Sequence, residues 1–333
     1  MKKIAIDLMG GDNAPVVVIE GVTEALATFD DIEFLLVGDQ ESVPSHLRNH
    51  DRVQILHTHE KIDGNDEPVA AIRKKKQASM VLAAQAVKEG QAQAILSAGN
   101  TGALLAAGLL IVGRIKGVDR PGLMPVIPTL NDQSPRFILM DAGANADSKP
   151  INLHQFAVLA NYYAKEVLGL ANPRIGLVNN GTEENKGNEL TKEVYTLLSQ
   201  DSQLHFIGNV EAKDLLEGVC DIAITDGFTG NAILKSLEGT AKTLFKAIKQ
   251  TVNSGGPKAK LGAFLLKDSL LAIKDRFDDS KQGGAILLGV KAPVIKAHGS
   301  SNSQAIFHAI RQARLVLEGQ VVQKAQAHFE KDL

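Results

Sequence analysis

Short apolar runs that end at glycine, acidic or amide residues recur along the whole chain, and most are separated by stretches with helical spacing. The runs are KKIAIDLMGGD, IEFLLVGD, AQAILSAGN, RFILMDAGAN, RIGLVNNG, CDIAITDG and PVIKAHGSSN. Alternation of buried strands with helices is typical of a parallel α/β sheet. The sequence therefore predicts a mostly parallel sheet with helices on both faces, in one α/β unit over residues 1–333.

Helical spacing of apolar residues is clearest over 68–89, 151–168, 187–199 and 303–328. Pro15 opens the first predicted helix and Asn302 precedes the last one, as is common at helix starts. Aromatic residues make up only 4% of the 333 residues, and Trp is absent, so Ala, Val, Ile and Leu must fill the core. A core of this kind suits parallel strands under helices.

The segment 230–277 departs from this alternation. Two helical patterns follow each other there without a strand, separated by the turn NSGGPK at 253–258. We expect a helical hairpin, called the arm below, to protrude from the sheet. The segment from Lys242 to Asp278 contains eight Lys or Arg and three Asp, which gives a local charge of +5 in a chain of net charge −2. Two interpretations stay open and can coexist: a dimer arm, or a basic amphipathic helix that contacts an anionic membrane. The candidate membrane contacts are Leu261, Phe264, Leu265, Leu266 and Leu270.

Charge and cysteine content exclude several classes of protein. A net charge of −2 implies no general attraction to nucleic acid. The single cysteine, Cys220, cannot form a disulfide within the chain, which fits a reducing cytosol, and we expect it to be buried. The N-terminal run reads as a buried strand and not as a signal peptide. The longest weakly polar run, 102–113, is shorter than the ~20 residues that span a bilayer, so we expect a soluble or peripheral protein.

Polar residues cluster where the predicted strands end, and ligands of open α/β sheets bind beyond the carboxyl ends of strands. We therefore expect these loops to gather at one end of the sheet. The loop SAGNTGA (97–103) can offer backbone N–H groups and a helix N-terminus to an anion. Each loop alone could also be an ordinary turn, but the set favours a phosphate site. The candidates are Asn100, Thr101, Gly102, Asp141, Gly143, Asn145, Lys186, Asn188, Asp226, Gly227, Gly230, Asn231, His298, Ser300, Ser301 and Asn302.

Other well-known site signatures are missing from the sequence. There is no G-x-x-x-x-G-K-[ST], no G-x-S-x-G, and the first strand is followed by MGGDNAP and not by G-x-G-x-x-G. HTHE (57–60) could bind a metal, but an exposed loop is the favoured interpretation, and no cysteine cluster suggests zinc. The cationic run RKKKQASM (73–80) is either a solvated helix face or a docking patch for an acidic partner.

Taken in order, the motifs resemble those of the bacterial phosphate acyltransferases of phospholipid synthesis. The matching motifs are DLMGGDNAP (7–15), SAGNTGA (97–103), DAGAN (141–145), GNE (187–189), DGFTGN (226–231) and AHGSSN (297–302). The resemblance spans the chain, and its visible departure is Leu8, where the family usually has alanine.

The resemblance implies transfer of a long-chain acyl group from acyl carrier protein to inorganic phosphate, with no metal or nucleotide cofactor. The acyl phosphate would serve a membrane glycerol-3-phosphate acyltransferase. The resemblance also implies a fold similar to that of isocitrate and isopropylmalate dehydrogenases and of phosphotransacetylases. The family works as a homodimer in the cytoplasm, peripherally associated with the inner face of the cell membrane, and its arm serves dimer and membrane contacts.

A thioester is already activated, so phosphate can attack it directly if the protein aligns both groups and stabilises the oxyanion. We expect Lys186 to supply positive charge, His298 to move a proton, and Asp141 and Asp226 to orient the donors. The expected donors to phosphate or carbonyl are Asn100, Thr101, Asn231, Ser300 and Ser301. Three rival functions are a short-chain phosphotransacetylase that uses coenzyme A, a metal- and NAD-dependent decarboxylating dehydrogenase, and a non-enzymatic scaffold. The dehydrogenase is disfavoured because no clear set of metal-binding aspartates is present.

Overall fold

The computed structural model describes residues 1–277 and 283–331 of the chain, and Asp278, where the charge count above ends, lies outside them. Within this part, eleven strands form one sheet in the order β3-β2-β1-β4-β11-β10-β5-β6-β9-β7-β8. The strands are β1 Lys2–Asp7, β2 Ile32–Gly38, β3 Val53–His57, β4 Ala94–Ser97, β5 Gly122–Pro128, β6 Arg136–Met140, β7 Ile175–Asn179, β8 Phe206–Glu211, β9 Ile222–Ile224, β10 Ala285–Leu288 and β11 Val294–Lys296.

The helices cover the sheet between these strands. They are α1 Val16–Thr28, α2 Ser45–Arg48, α3 Pro68–Lys74, α4 Ser79–Lys88, α5 Thr101–Ala107, α6 Pro150–Glu166, α7 Glu189–Gln200, α8 Gly227–Ser254, α9 Pro257–Leu265, α10 Lys267–Arg276, α11 Ser303–Glu318 and α12 Val321–Lys331. Seven of the ten strand pairings in the described residues are parallel. The predicted α/β class with a mostly parallel sheet and helices is therefore confirmed.

Side chains alternate between the two faces of the sheet, as the two-residue period of a strand requires. In β1, Ile4 and Ile6 join one core cluster with α1, α6 and α11, while Ala5 joins a second cluster with α4 and α5. The first cluster runs under the whole sheet. On the other face, the second cluster and a third cluster beneath α8 are separate. Two separate clusters on one face leave room for a cavity between α5 and α8.

The two halves of the sheet run in opposite directions, which corrects the expectation that all polar loops share one end. Strand β11 is parallel to β4, but β10 is antiparallel to β11, β5 is antiparallel to β10, and β6 is antiparallel to β5. Strands β9, β7 and β8 then follow the direction of β6. The loops after β4 and β11 therefore point one way, and those after β6, β7 and β9 point the other way.

These opposed strand ends nevertheless meet beside β5. Lys296, the last residue of β11, is level with Pro125 of β5 through their shared neighbour Ala285. The end of β6 is level with the start of β5, because Leu123 N donates to the Asp141 carboxylate at 2.9 Å. The two carboxyl ends are thus offset by two residues of β5, about 7 Å along the strand. Both sets of loops can reach one site there.

Three predicted helical segments are interrupted in the structure. The segment 68–89 is divided into α3 and α4 by a turn at 75–78, so half of the cationic run lies in a turn. The segment 303–328 is divided into α11 and α12 at Gly319 and Gln320, where Gln320 has φ 53°. In the arm, α8 ends at Ser254 as expected, but the second half is two helices, α9 and α10, that meet at Leu266.

Candidate active site

A cavity of about 590 Å³ lies over β5 and beneath α8. Its polar lining comes from both halves of the sheet, since Thr101 and His298 follow β4 and β11 while Gly143 and Asn231 follow β6 and β9. The further polar lining is Lys235, Glu238, Thr240 and Lys296. The rest is mainly apolar and includes Leu123, Val126, Ile127, Leu130, Leu216, Leu234, Leu237, Leu244, Phe245, Ile273 and Phe277. We call this the apolar cavity.

A second cavity, of about 470 Å³, adjoins the first, and we call it the polar cavity. It is lined by Lys242, Lys274, Ser300, Ser301 and Asn302, among others. Both cavities share His298, Glu238, Ala241, Phe245 and Phe277. Hydroxyl groups, two lysines and the N-terminus of α11 make the polar cavity suitable for an anion.

The His298 ring faces both cavities in a fixed hydrogen-bonding arrangement. Its Nδ1 lies 2.8 Å from Ser300 Oγ and accepts from Ser300 N at 3.3 Å. Because a backbone N–H can only donate, the neutral ring carries its proton on Nε2. Burial, helped by the nearby Lys296 and Lys235 cations, lowers the pKa of His298 below its usual range. His298 is therefore suited to donate a hydrogen bond as a neutral ring.

Asp226 and the glycines after it place Asn231 at the apolar cavity. The Asp226 carboxylate caps α8, accepting from Thr229 N at 2.9 Å and from Thr229 Oγ at 2.8 Å. A Cβ on Gly227 would lie 2.3 Å from Asn145 O, and one on Gly230 would lie 1.9 Å from Asp141 O. The first turn of α8 thus packs on the 141–145 loop at a distance that only glycine permits. Asn231 then lies beside Gly143 in the cavity wall.

Asp141 holds the 141–145 loop from inside the protein. Its fully buried carboxylate accepts from the backbone N–H of Leu123, Gly143, Ala144 and Asn145 and from the Asn145 side chain, all at 2.8–3.0 Å. Burial raises the pKa of Asp141 above its usual range, and these hydrogen bonds oppose that shift. The carboxylate contacts protein donors on every side, so it fits the expected orienting role.

Several amide candidates act as helix caps in the structure. Asn100 accepts from Ala103 N, Asn188 from Thr191 N, and Asn302 from Ala305 N, each at 2.9–3.0 Å. The Asn100 amide group also donates to three backbone carbonyls of residues 63–66. Asn, Asp and Ser are the preferred N-cap residues, so a strand–helix loop displays them whether or not it binds a ligand. Asn100 therefore supports its own loop and does not line either cavity.

The remaining candidates divide by position. Gly102 lies against Pro68, where a Cβ would approach to 2.6 Å. Lys186 is exposed on the loop between β7 and α7 and lines neither cavity. The cations that do line them, which sequence reasoning missed, are Lys235, Lys242, Lys274 and Lys296. The sequence carries a signal for Lys235, because it follows Asn231 by about one helical turn. In the structure Lys235 also pairs with Glu238 at 2.8 Å.

Comparison with known proteins identifies the family. The model of the fatty acid synthesis protein family matches residues 2–324. Phosphate acyltransferases from Streptococcus uberis and Streptococcus mutans are 60% and 57% identical, over 100% and 99% of this chain and 98% of each relative. The chain belongs to the phosphate acyltransferase family. The resemblance noted in the sequence is thereby confirmed, and the protein is an acyltransferase of fatty acid and phospholipid synthesis.

Two solved structures have a fold similar to that of this chain. A branched-chain phosphotransacylase from Enterococcus faecalis superposes with a TM-score of 0.61 at 18% identity, over 95% of this chain and 98% of that one. A phosphotransacetylase from Streptococcus pyogenes gives 0.59 at 17% identity, over 97% and 94%. At these identities the likeness shows the fold of the acyltransferase and no more.

Two further features lie outside the cavities. Cys220 is buried, and its burial raises the pKa of its thiol to about 12, so it is a packing residue. In the 57–60 loop, His57 Nδ1 accepts from Gln40 N at 3.1 Å, and His57 Nε2 lies 3.2 Å from His59 Nε2. These rings and Asp39 lie close enough together to surround a metal ion, and one hydrogen bond links the two rings.

The far end of the arm presents apolar side chains to solvent. Leu261, Phe264, Leu265 and Leu266 are 57–74% exposed, while Leu270 is half-buried. No residue of α9 or α10 is buried. None of the described helices combines the length and the apolar character that crossing a bilayer requires.

Proposed function

We propose that this acyltransferase moves a long-chain fatty acyl group from the thioester of acyl carrier protein to inorganic phosphate and releases acyl phosphate. The observation that carries the proposal is the pair of adjoining cavities, one apolar and one polar, which share a wall at His298. Two substrates of opposite character, an acyl chain and a phosphate ion, fit such a pair. No cofactor is needed, because the thioester is already activated.

In the reaction a phosphate oxygen attacks the thioester carbonyl carbon, a C–O bond forms, and the C–S bond breaks. The leaving thiolate takes the proton of hydrogen phosphate. A thiol has a pKa of about 8.5, so its thiolate leaves near neutral pH with little acid assistance. Oxyanion stabilisation is then the main task of the protein. The His298 Nε2–H, the Asn231 amide and the Lys296 cation supply it.

Phosphate occupies the polar cavity, next to Ser300, Ser301 and the N-terminus of α11. Lys242 and Lys274 offset its charge there, because they line this cavity. Thr101 donates from the opposite wall of the apolar cavity. Asp141, Asn145, Asp226 and the capping asparagines position these groups through the backbone.

The arm brings the enzyme to an anionic membrane surface and contributes to a homodimer, so the enzyme works in the cytoplasm at the inner face of the cell membrane. Exposed apolar residues at the α9–α10 junction and the surrounding lysines support this role. The arm lysines are also better candidates for docking the acidic carrier protein than Arg73 to Lys76, because Lys75 pairs with Asp66 at 2.6 Å. A membrane glycerol-3-phosphate acyltransferase then consumes the acyl phosphate.

The test is incubation of the purified enzyme with palmitoyl-acyl carrier protein and phosphate. We expect acyl phosphate and free carrier protein. Release of carrier without acyl phosphate would overturn the proposal, because the acyl group would then have passed to water. Turnover of acetyl-coenzyme A alone would overturn it and favour the short-chain alternative.

Two variants test the site residues. Asn231→Ala should lower turnover at least tenfold in a folded protein, because an oxyanion or phosphate donor is lost. Lys186→Ala tests the cation assigned from sequence. Loss of turnover would show that the β7–α7 loop reaches the reacting groups, whereas normal turnover would leave the positive charge to Lys296 and the lysines of the polar cavity.

A further inference from the structure

We propose that the acyl chain lies in the groove between β5 and α8, with its carbonyl near Lys296 and His298 and its methyl end between Leu130 and Leu244. The inference rests on the proposed function, because it names the place and direction of the acyl substrate. It explains why the apolar cavity is elongated along two secondary-structure elements.

The polarity of the groove changes along its β5 wall, whereas the α8 wall carries Lys235, Glu238 and Thr240 among its apolar residues. Around Pro125 the groove is polar, since Lys296 is level with that residue and Lys235 and Thr101 line the same cavity. Farther along β5 the lining is Ile127, Pro128 and Leu130, and Leu130 N donates to Leu216 O at 2.8 Å. An acyl thioester is likewise polar at its carbonyl end and apolar along its chain. The carbonyl therefore lies near Lys296 and the methyl end near Leu130.

The β5 wall and the α8 wall each bound the length of the groove. From Pro125 to Leu130 the chain advances five residues, at most about 16 Å, and β5 itself ends at Pro128. From Leu234 to Leu244 helix α8 advances ten residues, about 15 Å. Carbon–carbon bonds of about 1.5 Å at tetrahedral angles advance about 1.25 Å each, so a chain of roughly 12 carbons fills the groove.

The far end of the groove is open. Leu130 and Leu244 are 58% and 57% exposed, so a 16-carbon chain passes between them and extends toward Ile273 of the arm. An 8-carbon chain ends well short of both. The contacts of Leu130 and Leu244 therefore distinguish long chains from short ones, and a charge at either position should penalise only the long chains.

The experiment compares Leu130→Asp, just beyond the end of β5, with Leu244→Asp on α8; both residues line the apolar cavity. The matched control is Leu110→Asp, since Leu110 is 49% exposed and lines neither cavity. Binding of labelled palmitate and octanoate is measured by equilibrium dialysis. The kcat/KM for palmitoyl- and octanoyl-acyl carrier protein is measured in parallel. Retained near-native circular dichroism is required of each variant.

We expect both groove variants to lower the palmitoyl-to-octanoyl ratio at least tenfold, in binding and in turnover, while the control keeps the wild-type ratio. Each buried methylene is worth roughly fourfold in affinity, so losing the last few carbons suffices. Unchanged ratios in both folded groove variants would overturn the inference. If the binding ratios shift but wild-type enzyme forms no acyl phosphate, the groove assignment stands and the proposed function fails.

Discussion

Replacing Asp141 by Asn tests whether the loop beside Asn231 is held by a carboxylate. The side chain is completely buried and receives five hydrogen bonds from N–H donors. An amide can accept through one oxygen only, and its NH₂ group would face other N–H donors. The matched control is Asp147→Asn, since Asp147 lies in the same loop and is exposed.

The expected loss of stability follows from how the five donors are divided between the two carboxylate oxygens of Asp141. Oδ2 of Asp141 accepts from two groups of Asn145, so even the better orientation of the new amide loses two hydrogen bonds. Each buried donor left without a partner costs about 1–3 kcal/mol, which gives about 4 kcal/mol in total. The unfolding entropy is about 2.1 cal/mol/K per residue, so for 333 residues each 1 kcal/mol of lost stability lowers the Tm by about 1.4 °C. We therefore expect a fall of about 6 °C.

Differential scanning calorimetry at pH 7 measures this shift against wild type and Asp147→Asn. Turnover should fall as well, because Asp141 positions the loop that contacts Asn231. Burial raises the pKa of Asp141, and a carboxyl that carried a proton would be well mimicked by Asn, so the variant distinguishes the ionised from the protonated side chain. A Tm within 1 °C of the control would refute the ionised, five-donor arrangement.

Three further predictions concern single groups. His298→Gln should keep at least ten times the turnover of His298→Ala, because the Gln amide can replace the Nε2–H donor; equal loss in both variants would instead indicate proton transfer. Asp31 accepts from Arg314 Nε at 2.7 Å, which holds the pKa of its carboxyl well below the usual range, so its stabilising effect is present above pH ~3.8 and is lost as pH falls through the lowered pKa. The stability difference between wild type and Asp31→Asn in urea titrations should therefore be constant near neutrality and shrink only in strong acid. Leu266→Glu should weaken co-sedimentation with anionic liposomes, and Leu271→Glu should weaken it less. Liposome binding equal to that of the wild type in both variants would favour a purely dimeric role for the arm.

The sequence predicts the class of fold because strand ends and helix starts are local features. Strands β1, β2, β4, β6, β7, β9 and β11 all lie in the apolar runs that end at polar clusters. Strands β5 and β10 do not appear among those runs, although GLMPVIP and AILL are apolar, because neither ends in the same polar signature. Missing these two strands concealed the change of direction between the halves of the sheet.

The candidate site is only partly predictable for a chemical reason. Capping a helix and binding an anion both use Asn, Asp and Ser at the first turn, so Asn100, Asn188 and Asn302 look alike in sequence. Thr101, Asn231 and His298 face the cavities, but their position depends on contacts over more than a hundred residues. The lysines of α8 and α10 look like a solvated face, because only the folded arm places Lys242 and Lys274 beside His298.

Antiparallel strands at the centre of the sheet explain how polar loops from both halves of the sheet reach the two adjoining cavities. If all strands ran the same way, the polar loops would share one edge and the groove beneath α8 would begin at that edge. Because three successive antiparallel pairings, β11–β10, β10–β5 and β5–β6, reverse the direction, the loops after β4 and β11 meet those after β6 and β9 within two residues of β5. The rest of β5 then continues past this meeting point as an apolar floor. The reacting groups and a long chain can therefore occupy one continuous groove, with the polar chemistry at its inner part and its open end toward the arm.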